Sequence, residues 1–131
     1  MALLVQKFGG TSVGSIGRIQ DVAERVAEAR SEGHDVVVVV SAMSGETNRL
    51  IELAHEISQQ PSSREMDVLL STGEQVTIAL LTMALEEQNC QARSFTGSQV
   101  HIRTDSSHNK ARIIDIDAAR VKKALKAGKV V

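Results

Sequence analysis

The segment from Lys7 to Gly14, KFGGTSVG, combines residue types that can bind an anion. It follows a short apolar run and precedes a helical pattern, and its glycines would let backbone N–H groups approach a phosphate closely. Thr11 and Ser12 can donate further hydrogen bonds, and Lys7 adds a positive charge. The spacing is neither that of a P-loop nor that of a G-x-G-x-x-G dinucleotide loop. The segment therefore predicts phosphate binding, and a tight strand-to-helix turn is the alternative.

A second polar segment, Ser41 to Asn48 (SAMSGETN), lies between a β-branched run and another helical pattern. In an open parallel sheet, the carboxyl ends of neighbouring strands form the usual ligand crevice. Two such loops side by side would bring Lys7, Ser41 and Thr47 near one another. The residues alone favour the alternative, in which Ser44 or Thr47 is the N-cap of the next helix.

The third polar segment, Ser71 to Glu74, interrupts a long helical pattern. A glycine inside a helix costs roughly 1 kcal/mol relative to alanine, and close approach to a ligand would offset that cost. Glu74 would then receive a cationic group. The spacing from Ser71 to Glu74 also matches a capping box, in which Glu74 is the reciprocal cap of a restarted helix, and the residues alone favour this alternative.

The elements that must position these segments alternate between strands and helices. Val36 to Val40 is a continuous β-branched run, typical of a strand buried on both faces of a parallel sheet. The order of elements predicts an α/β fold with right-handed crossovers. The predicted strands are at 2–8, 36–40, 92–96, 100–104 and 111–116, and the predicted helices are at 15–32, 64–89 (interrupted at 71–74) and 117–127, with one more helix carrying Leu50, Ala54 and Ile57.

Composition limits the functional classes. A net charge of −1 gives no excess of basic residues that would indicate binding to nucleic acid or to an anionic membrane surface. The single cysteine, Cys90, excludes an intrachain disulfide, and the four His residues show no zinc-ligand spacing. No signal peptide is visible and the longest apolar run is too short to cross a bilayer, so we expect a cytoplasmic protein. We expect the basic residues of the last helix to form a solvated face that complements its C-terminal dipole: Arg120, Lys122, Lys123 and Lys126.

Taken together, the three segments resemble the aspartokinase branch of the amino-acid kinase superfamily. KFGGTSVG is similar to its N-terminal signature, VVVVVSAMSGETNRL to its second motif and LLSTGEQVTIALL to its third. ARSFTGSQVHIRTD, followed by ARIIDID, is similar to the hairpin and strand that come next. The resemblance covers essentially the whole chain in the correct order. It implies a three-layer αβα sandwich with a mainly parallel sheet, of which residues 1–131 form the N-terminal part of the catalytic domain.

The resemblance also implies a reaction, in which the γ-phosphoryl group of ATP is transferred to the side-chain carboxylate of L-aspartate at the start of lysine, threonine and methionine synthesis. Mg²⁺ is expected to be held mainly by the nucleotide. A carboxylate nucleophile is already ionised near neutral pH, so catalysis reduces to alignment and neutralisation of charge. Lys7 is expected to neutralise charge on the transferred group. The expected phosphate-binding residues are Lys7, Gly9, Gly10, Thr11 and Ser12, and the expected aspartate-binding residues are Ser41, Thr47 and Glu74, with Glu74 receiving the α-ammonium group.

The chain departs from the family in its length. The rest of the kinase domain, including a further glycine-rich strand and loop and most of the adenine pocket, is missing, as are the ACT regulatory domains. We therefore expect the 131 residues alone to have an open sheet edge and no useful kinase activity, and the full-length parent to be a homo-oligomer. Two alternatives are a kinase for another small amino-acid carboxylate and a non-catalytic half-domain that binds a ligand or a partner chain.

Overall fold

Helices and strands alternate along the chain, as the sequence predicts for an α/β fold. A computed structural model describes residues 1–131. Its elements are β1 (Leu3–Phe8), α1 (Ile16–Ser31), β2 (Asp35–Val40), α2 (Glu46–Ile57), α3 (Ser63–Glu87), β3 (Ile102–Thr104), β4 (Ile113–Ile116) and α4 (Ala119–Lys126).

Strands β1 and β2 pair in parallel and are joined by α1. Their register places Leu3 opposite Asp35 and continues to the last residue of each strand. Ser15 begins α1, because its Oγ accepts a hydrogen bond from the N–H of Arg18 at 3.2 Å. Gly33 follows the helix with φ of +93°, a left-handed conformation that glycine adopts without the steric cost of a Cβ. Local sequence signals therefore determine both ends of this helix.

The C-terminal residues Val130 and Val131 continue the parallel sheet beyond β2. Val131 donates to the carbonyl of Val36 at 3.1 Å and accepts from the N–H of Val38 at 2.7 Å. On the other side, Val130 forms a parallel bridge with Ala92. The sheet order is therefore β1, β2, the C-terminal residues and then the segment around Ala92.

Strands predicted in the second half of the chain are shorter in the structure. The predicted strand at 92–96 is reduced to the single bridge at Ala92, and β3 and β4 form a short antiparallel hairpin. The loop that joins β3 to β4 is tied to α3 at Asp67, whose carboxylate lies 3.0 Å from His108 Nδ1 and accepts from the N–H of Asn109 at 3.2 Å. Contacts with α3 therefore add to the strand pairing in this segment.

Helix α3 is continuous over its 25 residues, so the predicted interruption at 71–74 is wrong. Ser71 Oγ donates to the carbonyl of Val68 at 2.8 Å and does not cap a restarted helix. By length and composition α3 could cross a membrane, although a core helix meets the same criteria. It packs against α1 and α2. Its buried residues recur at every fourth position, as Gly73, Thr77, Leu81 and Leu85.

The hydrophobic core lies between α1, α3 and one face of the sheet. On the other face, Val5 is 66% exposed and Val39 is 48% exposed. The expectation that residues 36–40 are buried on both faces is therefore wrong at Val39, because successive side chains of a strand point to opposite faces and α1 and α3 cover only one. The buried core residues are Val13, Ile19, Val22, Ala23, Val26, Ala29, Val36, Leu81, Leu85, Cys90 and Val130.

The single thiol, Cys90, belongs to this core, and burial raises its pKa although Arg30 opposes the shift. Since the thiolate is the reactive form, we expect iodoacetamide at pH 8 to modify the folded chain at least about tenfold more slowly than the chain in urea. Mass spectrometry of timed samples measures this ratio. A control chain carrying Cys90→Ala and Ser107→Cys has an exposed thiol and should react at similar rates in both states. Equal rates for Cys90 folded and unfolded would contradict its burial.

Candidate active site

The first two polar segments of the chain pack directly against each other. We call residues 9–14, after β1, the glycine loop, and residues 41–45, after β2, the second loop. A Cβ added at Gly14 would lie 3.1 Å from the Cβ of Ser44, and one added at Gly10 would lie 3.4 Å from the carbonyl oxygen of Ala42. The parallel pairing of β1 and β2 places both loops at the same edge of the sheet. Gly14 therefore allows an unusually close contact between the loops, a role that the sequence did not indicate, whereas Gly10 is at an ordinary contact distance from the second loop.

The third segment joins this cluster through Gly73. A Cβ added at Gly73 would lie only 2.9 Å from the Cβ of Ala42, and 3.7 Å from the Cγ of Glu46. Real Cβ atoms essentially never approach so closely, so α3 can contact the second loop only with glycine at this position. The helix-breaking cost of Gly73 is offset by packing. The structure thus brings all three predicted segments together, with the second loop in the middle.

The glycine loop has free space next to one residue and one hydrogen bond between its own backbone groups. Space around Gly9 is free, because a Cβ built there meets no atom within 4 Å. The N–H of Ser12 donates to the carbonyl of Gly9 at 3.0 Å, which closes a turn and engages that donor inside the loop. Val13 is fully buried and anchors the loop in the core. The exposed Thr11 hydroxyl, the Ser12 hydroxyl and the backbone at Gly9 are therefore the groups that a ligand could reach.

Lys7 is exposed near the end of β1 and pairs in register with Val39. Because side chains alternate along a strand, Lys7 shares its side of β1 with Val5. This is the face that α1 and α3 leave open. No carboxylate forms a salt bridge with Lys7, since the ion pairs of the chain join other residues. Its charge is therefore available to a ligand beside the glycine loop.

The helix-capping alternatives for Ser44, Thr47 and Glu74 are wrong. Helix α2 has Gly45 as its N-cap, with φ of +79° and no side-chain capping bond, so neither Ser44 nor Thr47 caps it. Thr47 is exposed in the first turn of α2. Glu74 lies within the continuous α3 with an exposed side chain and no ion-pair partner. The polar groups of Thr47 and Glu74 are thus free of the structural roles that the sequence favoured.

Glu74 also lines a cavity of about 670 Å³ that runs along β2 beside Val131. Its walls are mostly apolar and include Val39 and Leu81, whereas Ser71 and Glu74 are polar. Lys7, the glycine loop and Thr47 do not line it. Glu74 is therefore the one predicted site residue that lines this cavity. Ser41 does not line the cavity; it is half-buried, and its N–H donates to the carbonyl of Phe8 at 3.3 Å.

An ion pair at the start of α2 was missed by the sequence analysis. Arg49 Nη2 lies 2.6 Å from Glu46 Oε1, and Arg49 Nε donates to Glu46 Oε2 at 3.1 Å. This two-point hydrogen bond from Arg49 holds the pKa of the Glu46 carboxyl below its usual range, although partial desolvation opposes the shift. The spacing of three residues on a helix was the available signal. The pair orders the side of α2 that faces Gly73.

We expect Arg49→Ala to raise the pKa of Glu46 back towards the ordinary range of a glutamate, because the hydrogen bonds that lower it are lost. A lowered folded pKa means that the stabilisation by this pair is complete above the unfolded value and is lost as the pH falls through the folded one. Titration of the ¹³C carboxyl resonance measures the shift. Arg64→Ala is the matched control, because Arg64 is on α3 and pairs with Glu65. An unchanged Glu46 titration in Arg49→Ala would contradict the assignment.

No group of three or more His, Cys, Asp or Glu side chains lies close enough to hold a metal ion. The acceptors nearest the loops are Glu46, which is engaged with Arg49, and Glu74, which is unpaired. A cation at this site would therefore need ligands from a bound molecule in addition to those of the chain.

Comparisons with known proteins find relatives along the whole chain. The sequence model described as the Amino acid kinase family matches residues 2–131. The chain is 65% identical over 131 residues to an aspartate kinase of Stutzerimonas stutzeri and covers 32% of that protein. It is 56% identical over 131 residues to aspartokinase 2 of Bacillus subtilis and again covers 32% of it. All 131 residues are covered in both cases, so the chain spans about a third of the length of these relatives.

Two solved structures are similar to the chain. The aspartate kinase from Synechocystis superposes with a TM-score of 0.81 at 49% identity, covering 98% of this chain and 21% of that one. E. coli aspartokinase III in complex with aspartate and ADP gives a TM-score of 0.82 at 23% identity, covering 99% of this chain and 40% of that one. The second likeness shows the fold alone. The predicted α/β fold with a parallel sheet is confirmed by these superpositions.

Proposed function

The chain belongs to the amino acid kinase family, and from this premise we propose that it is the N-terminal part of the catalytic domain of an aspartate kinase. The observation that supports this proposal is the packing of the glycine loop, the second loop and Gly73 into one cluster. Relatives at 65% and 56% identity carry the same function in their names. In the proposed reaction, a side-chain carboxylate oxygen of L-aspartate attacks the γ-phosphorus of ATP. The bond to the bridging oxygen breaks, which gives ADP and 4-phospho-L-aspartate.

The phosphate-binding part of the proposal rests on Lys7 and the glycine loop. Free space at Gly9 and the exposed Thr11 hydroxyl fit a phosphate chain, and the N-terminal end of α1 follows the loop. Of the predicted residues, Gly10 contributes by packing on the second loop, and Ser12 through its hydroxyl. Lys7 would neutralise charge on the transferring group. A divalent cation, which we propose is Mg²⁺ bound mainly by phosphate oxygens, would neutralise further charge.

The aspartate-binding part of the proposal rests on Ser41, Thr47 and Glu74. The unpaired carboxylate of Glu74 would receive the α-ammonium group of the substrate, and the hydroxyls of Ser41 and Thr47 would donate to its carboxylates. Gly73 supports this arrangement because it holds α3 against the second loop. The aspartate side chain is already ionised near neutral pH, so the proposed reaction requires no general base from the site.

We propose that residues 1–131 carry only part of the machinery. Strand β2 lines an open cavity, where apolar side chains such as Val39 are exposed. We propose that further residues of a longer chain cover this part of the sheet. The isolated chain is accordingly expected to show no useful kinase activity. For the full-length protein we propose a cytoplasmic homo-oligomer with regulatory ACT domains.

Kinase assays on a chain extended to the full length of its relatives test the proposal. We expect ATP-dependent formation of ADP with L-aspartate and not with L-glutamate. Replacing Glu74 by Gln should raise the KM for aspartate by about tenfold or more, because a charge-assisted hydrogen bond to the ammonium group is lost, while the KM for ATP stays within about twofold. Glu86→Gln, an exposed position on the same helix, is the control.

Other outcomes of these assays would separate the alternatives. Preference for another amino acid would replace aspartate as the substrate but keep the reaction class. Binding of aspartate by calorimetry without turnover in the extended chain would favour a non-catalytic binding domain. An unchanged KM for aspartate in Glu74→Gln would remove Glu74 from the site.

A further inference from the structure

A second pocket, of about 360 Å³, lies between α4 and residues 93–95. It shares no residue with the glycine loop, the second loop or Glu74. Basic side chains dominate its walls, and no acidic residue lines it. We propose that this pocket binds a small organic anion carrying one or more phosphate groups, at a site separate from the one proposed for ATP. Its lining residues are Arg93, Phe95, Arg120, Lys123, Ala124, Ala127 and Lys129.

The pocket lies between one helix and an irregular segment. Arg93 and Phe95 of that segment both line it, and the Arg93 guanidinium lies over the Phe95 ring. The lining residues at positions 120, 123 and 124 of α4 and at its C-cap, 127, form one stripe along the helix. Gly128, with φ of +80°, turns the chain so that Lys129 completes the wall. Ala124 and Ala127 add a small apolar part to the lining.

These basic side chains have no carboxylate partner. None of the four cations that line the pocket takes part in a salt bridge of the chain. The dipole of α4 accounts for Lys123 near the helix C-terminus, but Arg120 lies in the first turn, where the dipole is unfavourable to a positive charge. Arg93 and Lys129 are outside the helix. Like charges gathered in this way repel one another, and a bound anion would remove that cost.

Each of the two arginines makes one contact within the chain. Arg120 Nη1 donates to the carbonyl of Gln99 at 3.1 Å, and the guanidinium carbon of Arg93 lies 5.6 Å from the centre of the Phe95 ring. Each contact leaves other N–H groups of the guanidinium free. A planar guanidinium can make two parallel hydrogen bonds to a phosphate, which a lysine cannot do. The volume is at the small end of the range for ligand pockets and suits a phosphorylated molecule of metabolite size.

Titration of the ¹⁵N-labelled 131-residue chain with inorganic pyrophosphate tests the inference. We expect amide shifts concentrated at residues 93–95 and 120–129. Arg93→Glu should weaken binding at least about tenfold, and Lys123→Gln should weaken it by a smaller factor, because each removes a charge from the pocket wall. Lys122→Glu is the matched control, since it makes the same charge change as Arg93→Glu at a position on α4 that does not line the pocket. It should change the affinity by less than about twofold.

Binding at the proposed ATP site is distinguished within the same experiment. Lys7→Ala should leave the pyrophosphate shifts at residues 93–95 and 120–129 unchanged. The unfolding midpoint of each variant shows whether the chain remains folded, and Lys123→Gln serves if Arg93→Glu does not fold. Absence of binding at millimolar pyrophosphate would overturn the proposal. An equal loss of affinity in Lys122→Glu would also overturn it, because the effect would then follow net charge and not the pocket.

Discussion

Replacing Lys7 by alanine in the full-length enzyme is expected to lower kcat by about 10²–10³-fold, with little change in the KM for aspartate. Lys7 is the charged residue of β1 and lies beside the glycine loop without an ion-pair partner. In the proposed reaction, negative charge develops on the transferring phosphoryl group, which Lys7 would stabilise. An interaction made mainly in the transition state affects kcat more than it affects substrate binding. Steady-state kinetics with both substrates varied measures the two effects separately.

Lys110→Ala, in the exposed loop between β3 and β4, is the matched control and should keep kcat within about twofold of the unchanged enzyme. Because the Lys7 side chain is exposed, its loss should leave the unfolding midpoint of the 131-residue chain nearly unchanged. Lys7→Arg should recover only part of the activity, since a guanidinium places its charge differently. A kcat for Lys7→Ala within about threefold of the original would rule out the proposed electrostatic role.

Gly73→Ala is expected to destabilise the 131-residue chain by about 1–3 kcal/mol. In an isolated helix this substitution stabilises by roughly 1 kcal/mol, so the sign of the effect depends on the tertiary contact. The added methyl carbon would lie 2.9 Å from the Cβ of Ala42, and the second loop or α3 must move to relieve the overlap. Urea unfolding followed by circular dichroism measures the difference. In the full-length enzyme we expect a higher KM for aspartate, because the same movement displaces Glu74.

The double variant Ala42→Gly with Gly73→Ala tests whether this contact is the cause. Removing the methyl group of Ala42 should make the double variant more stable than the sum of the single changes predicts, by about 0.5–3 kcal/mol. Gly17→Ala is a control in α1, where the nearest atom to an added Cβ is 3.9 Å away. It should be neutral or stabilising by up to about 1 kcal/mol. Destabilisation by Gly17→Ala as large as that by Gly73→Ala would show that local overlap at Ala42 is not the explanation.

Much of the fold follows from local sequence signals. Helix α1 was predicted within one residue at each end, because Ser15 and Gly33 specify its ends and apolar residues recur at helical spacing between them. The run Val36–Val40 was predicted as a strand, and it forms most of β2. The position of the polar segments after parallel strands also predicted that the first two loops would lie together. These features depend on neighbours in sequence, and a single sequence contains that information.

Predictions that depended on distant residues were less successful. The capping box from Ser71 to Glu74 was locally reasonable, but burial of one face of α3 on α1 and α2 keeps the helix continuous. The strand expected at 92–96 lacks a partner along most of its length, since only Ala92 finds one in Val130. Exposure of Val39 has a similar origin, because whether a strand is covered on both faces depends on elements elsewhere in the chain.

The sequence by itself determined which residue types are available at the candidate site: a lysine, a glycine-rich turn, hydroxyls and one acidic side chain at the ends of parallel strands and on a long helix. Only the tertiary structure decided what most of the glycines do. At Gly14 and Gly73 another segment occupies the space that a side chain would need, whereas Gly9 faces open space that a ligand could fill. Their spacing is the same for either purpose. What differs is the set of atoms that folding places around each of them, and that set comes from residues far away in the sequence.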